Sequence, residues 1–432
     1  MAEIFESEFL FLSASKSKSA NEGMYTASLS QEHRGIEIAR HPAPKDTEAE
    51  GVPSNFFFRA SIPHPGDEDS VVYPTKLQNL FNMFPTLRRG WILQERLLAK
   101  RILHFGPTEL TWECSRGQKC QCRPGEDWGR GQGSTLFAPT DKEGYHDNWM
   151  RIIKDYSRLH LTHDEDIFPA ISGLATRFQT VLRCDYIAGL WEDTLPQSLL
   201  LYVRPHENWT SRPTHWRAPS WSWASLRSTG VNPPSNLSGM DIHAEVLRVV
   251  LRQASPDRMG ELVPWESFLT LRGHLVSTSM RLDPRHEGWG DYHPGLDLPG
   301  PHRYKYRMTL DDDFYIRQLA LNQPAANPSE VELKRYPFPV YCLSIGRRDG
   351  PPEVVVITQD GYTRPSQLVY FLVLRRIDVE DARMIEAVAE PGSEEHESSN
   401  QHRCLRIGWL EVFRGDSLLR ADGLKKEVVT IY

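Results

Sequence analysis

The chain of 432 residues, with 39% hydrophobic, 25% charged and 10% aromatic residues, is long enough for two or three domains at roughly 150 residues each and too apolar for a disordered polymer. Its 50 Lys and Arg against 57 Asp and Glu leave a net charge of −7, a poor match for a phosphate backbone, which argues against general nucleic-acid binding. The longest unbroken apolar run, Leu368 to Leu374, falls far short of the roughly 20 residues of a membrane span, the N-terminus is acidic where a secretory signal is basic, and six cysteines are no disulfide framework, so a cytoplasmic location is expected.

Residues 1–5 read as a short helical turn leading into an alternating segment, 9–15, that suits a half-buried strand. Residues 16–75 lose periodicity and are expected to be mostly loop, with one short strand at 56–60. Residues 86–98 place Leu87, Trp91, Gln94 or Glu95, and Leu98 on one helical face behind an N-cap at Thr86. Gly90 marks either a close neighbour or a helix that properly begins after it. Residues 101–105 and 110–114 flank Gly106-Pro-Thr-Glu109, the layout of a β-hairpin.

Residues 115–146, rich in Gly, Arg, Asp and Pro, read as an irregular exposed loop. Helical spacing at 148–157 aligns Trp149, Ile152, Ile153 and Tyr156. A capping-box spacing at Thr162 and Glu165 opens a second helix carrying Ile167, Ile171, Leu174, Phe178 and Leu182, with Pro169 kinking it or moving its start. A short helix is expected at 195–202, and 217–225 reads as an extended segment with Trp221 and Trp223 on one side. Strand-like runs follow at 244–251, 268–275, 304–310, 340–345, 353–358, 368–374, 404–412 and 428–432, separated by loops rich in Pro, Gly and acid. That spacing predicts an antiparallel sandwich or open barrel, with 391–400 as a disordered loop. The fold class is α+β, in regions 1–115, 116–146, 147–239 and 240–432.

Several residue groups carry possible chemistry. Glu95, beside Gln94 and Arg96, is the weak catalytic candidate, since a buried carboxyl with a raised pKa can act as general acid or base. Its structural alternative is an ion pair with Arg89 or Arg96 while Trp91 packs in the core. Cys114, Cys120 and Cys122 lie near His104 and His146 in sequence, but Cys120-x-Cys122 is tighter than a zinc knuckle, so no metal is assigned. Capping and the helix macrodipole explain the acids around His160 and His163 more economically than a metal does. Ser220 and Ser222 lack a Gly-x-Ser-x-Gly elbow, and neither a phosphate loop nor a dinucleotide fingerprint occurs, so no cofactor is assigned. Nine of twelve tryptophans lie between Trp91 and Trp223; they build a heavy aromatic core, or some, Trp221 and Trp223 above all, anchor a partner at the surface.

The ordered run Arg89, Trp91, Gln94, Glu95, Arg96, then His104-Phe-Gly, then Trp112, Glu113 and Cys114 resembles the closing segment of the heterokaryon-incompatibility (HET) domain of filamentous fungi. Residues 1–5, 9–14 and 21–25 resemble the middle of that domain, and 155–157, 161–162, 171–175, 186–191 and 218–225 resemble the region that trails it. The family's opening strand, Trp-Gly element and Cys-Ile stretch have no counterpart, so Met1 falls where the family is already mid-domain. The resemblance implies a partial HET domain at 1–115, a remnant of a TIR- or flavodoxin-like α/β fold, with Cys114 a buried strand-end residue. It also implies a role in fungal non-self recognition and programmed cell death through protein partners and without catalysis. The alternative it implies is a TIR-like enzyme that cleaves a nicotinamide nucleotide once the missing half is supplied.

Overall fold

The computed structural model describes residues 2–24, 36–41, 54–58, 81–121, 136–139, 141–203, 213, 215–226, 230–232, 239–283, 293–296, 298, 306–311, 338–349, 367–377, 402–413 and 425–432. They fall into two units, Met1–Tyr145 with Leu159–Leu161, and His146–Arg158 with Thr162–Tyr432. Helices and strands are both present, in an α+β arrangement.

In the first unit, helix Ala2–Ser7 leads into strand β1, Phe11–Ser13. An antiparallel pair follows, β2 at Ile36–His41 and β3 at Ser54–Phe58. Of these, only β3 answers an expected strand. A single 3₁₀ turn at Pro85–Arg88 precedes helix Gly90–Leu98, so the helix starts at Gly90 and not at Thr86. Arg89 between them is extended, and the Thr86 hydroxyl lies 2.9 Å from the carbonyls of Ala14 and Ser17 instead of capping. Alternation then sets β4, Arg101–Phe105, and β5, Leu110–Cys114, each burying every second residue. These two match the expected hairpin residue for residue.

The first sheet has the order β1-β4-β5, continued by β6 at Gly117–Cys120, inside the stretch expected to be loop. The outer edge of β5 leaves its peptide groups to be satisfied, and β6 pairs with them despite its loop-like composition. Strand β1 runs parallel to β4, with Ser13 beside His104. A parallel neighbour requires a crossover, and helix Gly90–Leu98 lies within that connection, packed against the first helix.

The second unit takes in most of helix Lys142–Tyr156, which buries Trp149, Ile152, Ile153 and Tyr156 as its spacing predicts. The capping-box segment forms two 3₁₀ turns, Asp164–Ile167 and Pro169–Ile171, before helix Ser172–Leu182. Pro169 lacks an N–H and clashes with the preceding turn, so a continuous helix cannot pass through it. The five aligned apolar residues are nevertheless all buried. A hairpin follows, β7 at Tyr186–Ile187 and β8 at Leu190–Trp191, joined by Ala188 and Gly189 at φ +46° and +92°. Positive φ at both central residues is the signature of the two-residue turn whose twist suits paired strands.

After the short helix Leu195–Ser198, strands β9, Tyr202–Val203, and β10, Val231–Asn232, pair with each other. Residues 217–225 are not extended: Trp223–Ser225 closes a 3₁₀ turn with the Ser222 hydroxyl accepting from the Ala224 amide. The large sheet then comprises β11 (Asp241–Ile242), β12 (Glu245–Val250), β13 (Phe268–Asp283), β14 (His293–Leu296), β15 (Tyr306–Leu310), β16 (Phe338–Asp349), β17 (Gln367–Arg376), β18 (His402–Phe413) and β19 (Lys426–Ile431). Long β13 pairs with β19 through its first half and with β16 through its second. With β16-β17-β18-β19 continuous, the pairings close a ring. Val276, Met280, Val340, Cys342, Phe371, Val373, Ile407 and Leu410 fill its core. All but one of the ring's pairings are antiparallel; β18 and β19 run parallel. The expected strand at 353–358 and loop at 391–400 lie outside the described residues.

The expected boundary near residue 240 does not separate two units. Ser220 explains why, because its hydroxyl donates to the Tyr432 carbonyl and accepts from the Arg406 amide, tying the Trp-rich segment to β18 and the chain end. Arg406 itself is buried against Asp311 at 3.1 Å and the Leu201 carbonyl.

Candidate functional site

The motif residues lead to a buried polar network in the first unit. Glu113 occupies an inward position of β5, and His104 an inward position of β4 one step diagonally across the pair. Their side chains meet at 3.1 Å, His104 Nε2 to Glu113 Oε2. Arg96, on the inner face of helix Gly90–Leu98, donates Nε to the same oxygen at 2.9 Å. On the far side of the imidazole, Ser15 Oγ lies 2.9 Å from His104 Nδ1 and 2.9 Å from Ser13 Oγ. Three strands, one helix and the segment after β1 are thus joined by one chain of hydrogen bonds. Every member is at least nine-tenths buried.

The electrostatics fix the direction of that chain at its carboxylate end. Burial alone would push the Glu113 carboxyl up, but the Arg96 guanidinium and the His104 hydrogen bond outweigh it and bring it down to about 2. A carboxylate only accepts, so Nε2 carries a proton toward Glu113. On its other side, His104 Nδ1 shares a hydrogen bond with Ser15 Oγ, which shares one with Ser13 Oγ. The order serine, imidazole, carboxylate is that of a hydrolase triad, with the ring nitrogens exchanged in role. Ser15 has no exposed surface, so no substrate reaches it and the network holds the fold together.

The other motif residues are not drawn into one cluster. Gln94 is buried, whereas Trp91, Glu95, Trp112 and Cys114 are half-buried and Arg89 is exposed. Arg96 therefore serves Glu113 and not Glu95, and Trp91 is not a core residue as expected. The expectation that Cys114 is fully buried also fails: it ends β5 on an outward position of the alternation. Burial pushes the Glu95 carboxyl up, and the nearby Arg89 guanidinium offsets part of that rise. Ser13 and Ser15 escaped the sequence reading, and His104 entered it as part of the motif run and as a possible metal ligand, not as a partner of Glu113. The signal for His104 was its place in the in-out pattern beside Ile102.

Trp221 and Trp223 are buried at 0% and 1% exposure, so neither can anchor a partner at the surface. The aromatic core accounts for them. Trp149 and Trp223 both donate their indole N–H to the Gly189 carbonyl, at 2.9 and 3.1 Å, in the turn of the β7-β8 hairpin. Trp191 and Tyr186 stack edge-on against Trp149. The Ser222 hydroxyl donates to the Ala188 carbonyl in the same turn. Asp164, in the acid-rich segment after His160, pairs with Arg217 at 3.2 Å.

Among the described residues no three His, Cys, Asp or Glu side chains converge as a metal site, and Cys122 lies outside them. Nor is any described helix long and apolar enough to cross a membrane. Compared with family models, curated proteins and solved structures, the chain finds no match.

Proposed function

We propose that this protein acts in a fungal self/non-self recognition response of the HET type, through protein contacts and without catalysis of its own. One observation supports the absence of catalysis: two of the ionisable motif residues, Arg96 and Glu113, are spent on each other and on His104 inside the first unit. A general acid or base must touch the reacting group, and these do not reach solvent. Glu95 alone favours a second reading, cleavage of a nicotinamide nucleotide, because its carboxyl is half-buried and shifted upward. The test pairs two assays on the full chain. Induced expression in a filamentous fungus should cause growth arrest or death that Glu95→Gln preserves, while the purified protein should release no nicotinamide from NAD. Nicotinamide release that Glu95→Gln abolishes would establish the enzyme instead, and no growth effect at all would sink the recognition role.

A further inference from the structure

A second feature lies at the outer edge of the first sheet. Of the six large apolar side chains exposed among the described residues, Ile4, Phe9, Leu12 and Met24 all fall within residues 1–24. Phe9 is 77% exposed, Ile4 55% and Leu12 46%. Phe9 reaches β4 at Arg101, whose guanidinium carbon lies 4.8 Å from the ring centre, and Leu12 lies beside Leu103. Arg101 and Leu103 are consecutive outward positions of β4, so Phe9 and Leu12 share one face. Monomers expose such side chains singly as a rule, and a cluster of them marks a contact surface.

Strand β1 ends the order of this sheet, and among the described residues it pairs with β4 alone. Thr86 closes the edge beyond the strand, its amide donating to the Ser15 carbonyl at 3.4 Å and its hydroxyl to the Ala14 carbonyl at 2.9 Å. Phe11–Ser13 is the part left open to a further strand. An apolar edge is a hazard unless something covers it. Charge along the segment is segregated: Glu3, Glu6 and Glu8 precede the strand, residues 9–15 carry none, and Lys16 and Lys18 follow.

We propose that a second copy of this chain covers the edge, β1 against β1 in antiparallel about a twofold axis at Leu12. The sheet then runs β6-β5-β4-β1 and continues as β1-β4-β5-β6 of the second copy. Charge order selects both occupant and orientation. Antiparallel pairing sets the acidic end of each copy against the basic end of the other, whereas parallel pairing sets acid against acid and base against base. A foreign strand would need an apolar run between charges in the same order, and the second copy brings one. The contact is isologous, each copy using the same patch. Only three residues pair along the edge, so Phe9 and Leu12 carry much of the affinity, and the dimer is weak and concentration-dependent.

Sedimentation equilibrium of the full-length protein, from micromolar to near-millimolar concentration, should show the average mass rising from one chain toward two. Added salt should weaken the association several-fold. Leu12→Lys, at an exposed position, should keep the chain monomeric at every concentration and leave its unfolding midpoint nearly unchanged. Glu8→Lys and Lys18→Glu should each weaken association about tenfold, since a twofold contact counts every change twice. The double variant should recover most of that loss, because the exchanged charges again meet as opposites, and recovery shows that neither single change acts by unfolding. A chain monomeric at every concentration, association that Leu12→Lys leaves intact, or a double variant no better than the singles overturns the assignment.

Discussion

Arg96 donates to Glu113 across 2.9 Å in the interior of the first unit, while its sequence neighbour Glu95 is left to the field of Arg89. Adjacent residues of one helix turn thus serve different ends, because their side chains leave the axis about 100° apart. Removing one member of a buried pair strands the other charge, at a cost of about 3–5 kcal/mol. Glu113→Gln should therefore destabilise the first unit by that order in urea unfolding. The double change Arg96→Met with Glu113→Leu should cost less than Glu113→Gln alone, since no charge is then left unpaired. Glu95→Gln should leave the midpoint nearly unchanged.

The same pair makes stability depend on acid. Glu113 sits at about 2 in the fold against an ordinary 4.5. A carboxyl depressed in the folded state contributes its full stabilisation above pH 4.5 and loses it as pH falls toward 2, about 3 kcal/mol in all. Unfolding free energy measured from pH 6 to pH 2 should fall through that window in the wild type. The Glu113→Gln variant should lack this part of the slope, and parallel slopes in both proteins would remove Glu113 as its source.

Gly189 carries two loads that no other residue can. Its φ of +92° is costly for an L side chain, and a Cβ there would fall on the Trp223 indole nitrogen. Gly189→Ala should displace Trp223 and with it one of the two N–H donors to that carbonyl, for a loss of about 3 kcal/mol or more. Trp149→Phe removes one donor but leaves Trp223 on the same carbonyl, so its hydrogen-bond cost is smaller and the rest of its effect is lost packing. Chemical denaturation of the two variants separates these contributions.

Much of this architecture was legible where side-chain periodicity is strong. The hairpin at 101–114 and the buried stripe from Trp149 to Tyr156 follow from alternation and from 3.6-residue spacing. Strand β6 was not legible, because its pairing is dictated by the open edge of β5 and not by its own Gly- and Lys-containing sequence. Gly90 pointed to a later helix start, but the sequence could not reject Thr86 as N-cap, whose hydroxyl is used by carbonyls about 70 residues away in sequence, a long-range demand that local capping rules do not see. At the site, Arg96, His104 and Glu113 all lay in the motif run, yet nothing in it marked them as one network, and their partners Ser13 and Ser15 were not marked. A short polar residue just past a strand gives no warning that it will meet an imidazole 89 residues on. Trp221 and Trp223 could be core or surface by sequence alone. The Gly189 carbonyl decides for Trp223, and Trp221, at 0% exposure, is core as well.

Thiol reactivity tests the two units separately. Burial pushes Cys342 and Cys404 up to about 12, and both side chains lie inside the second unit with no exposed surface. Burial also pushes the Cys114 thiol up, but hydrogen bonds from the Arg116 and Gly117 backbone and from Trp112 outweigh it and bring it below the ordinary range. The thiolate is the reacting species, and access decides whether reagent meets it. At pH 8 an aromatic disulfide reagent should therefore modify Cys114 early, alongside Cys184, which is half-buried too, and Cys114→Ser should remove its share of the fast phase. Cys342 and Cys404 should react only at the rate of unfolding of the second unit, and peptide mass mapping of a quenched time course assigns each phase to its cysteine. Early labelling of Cys342 in the native protein would contradict the closed ring of strands that encloses it.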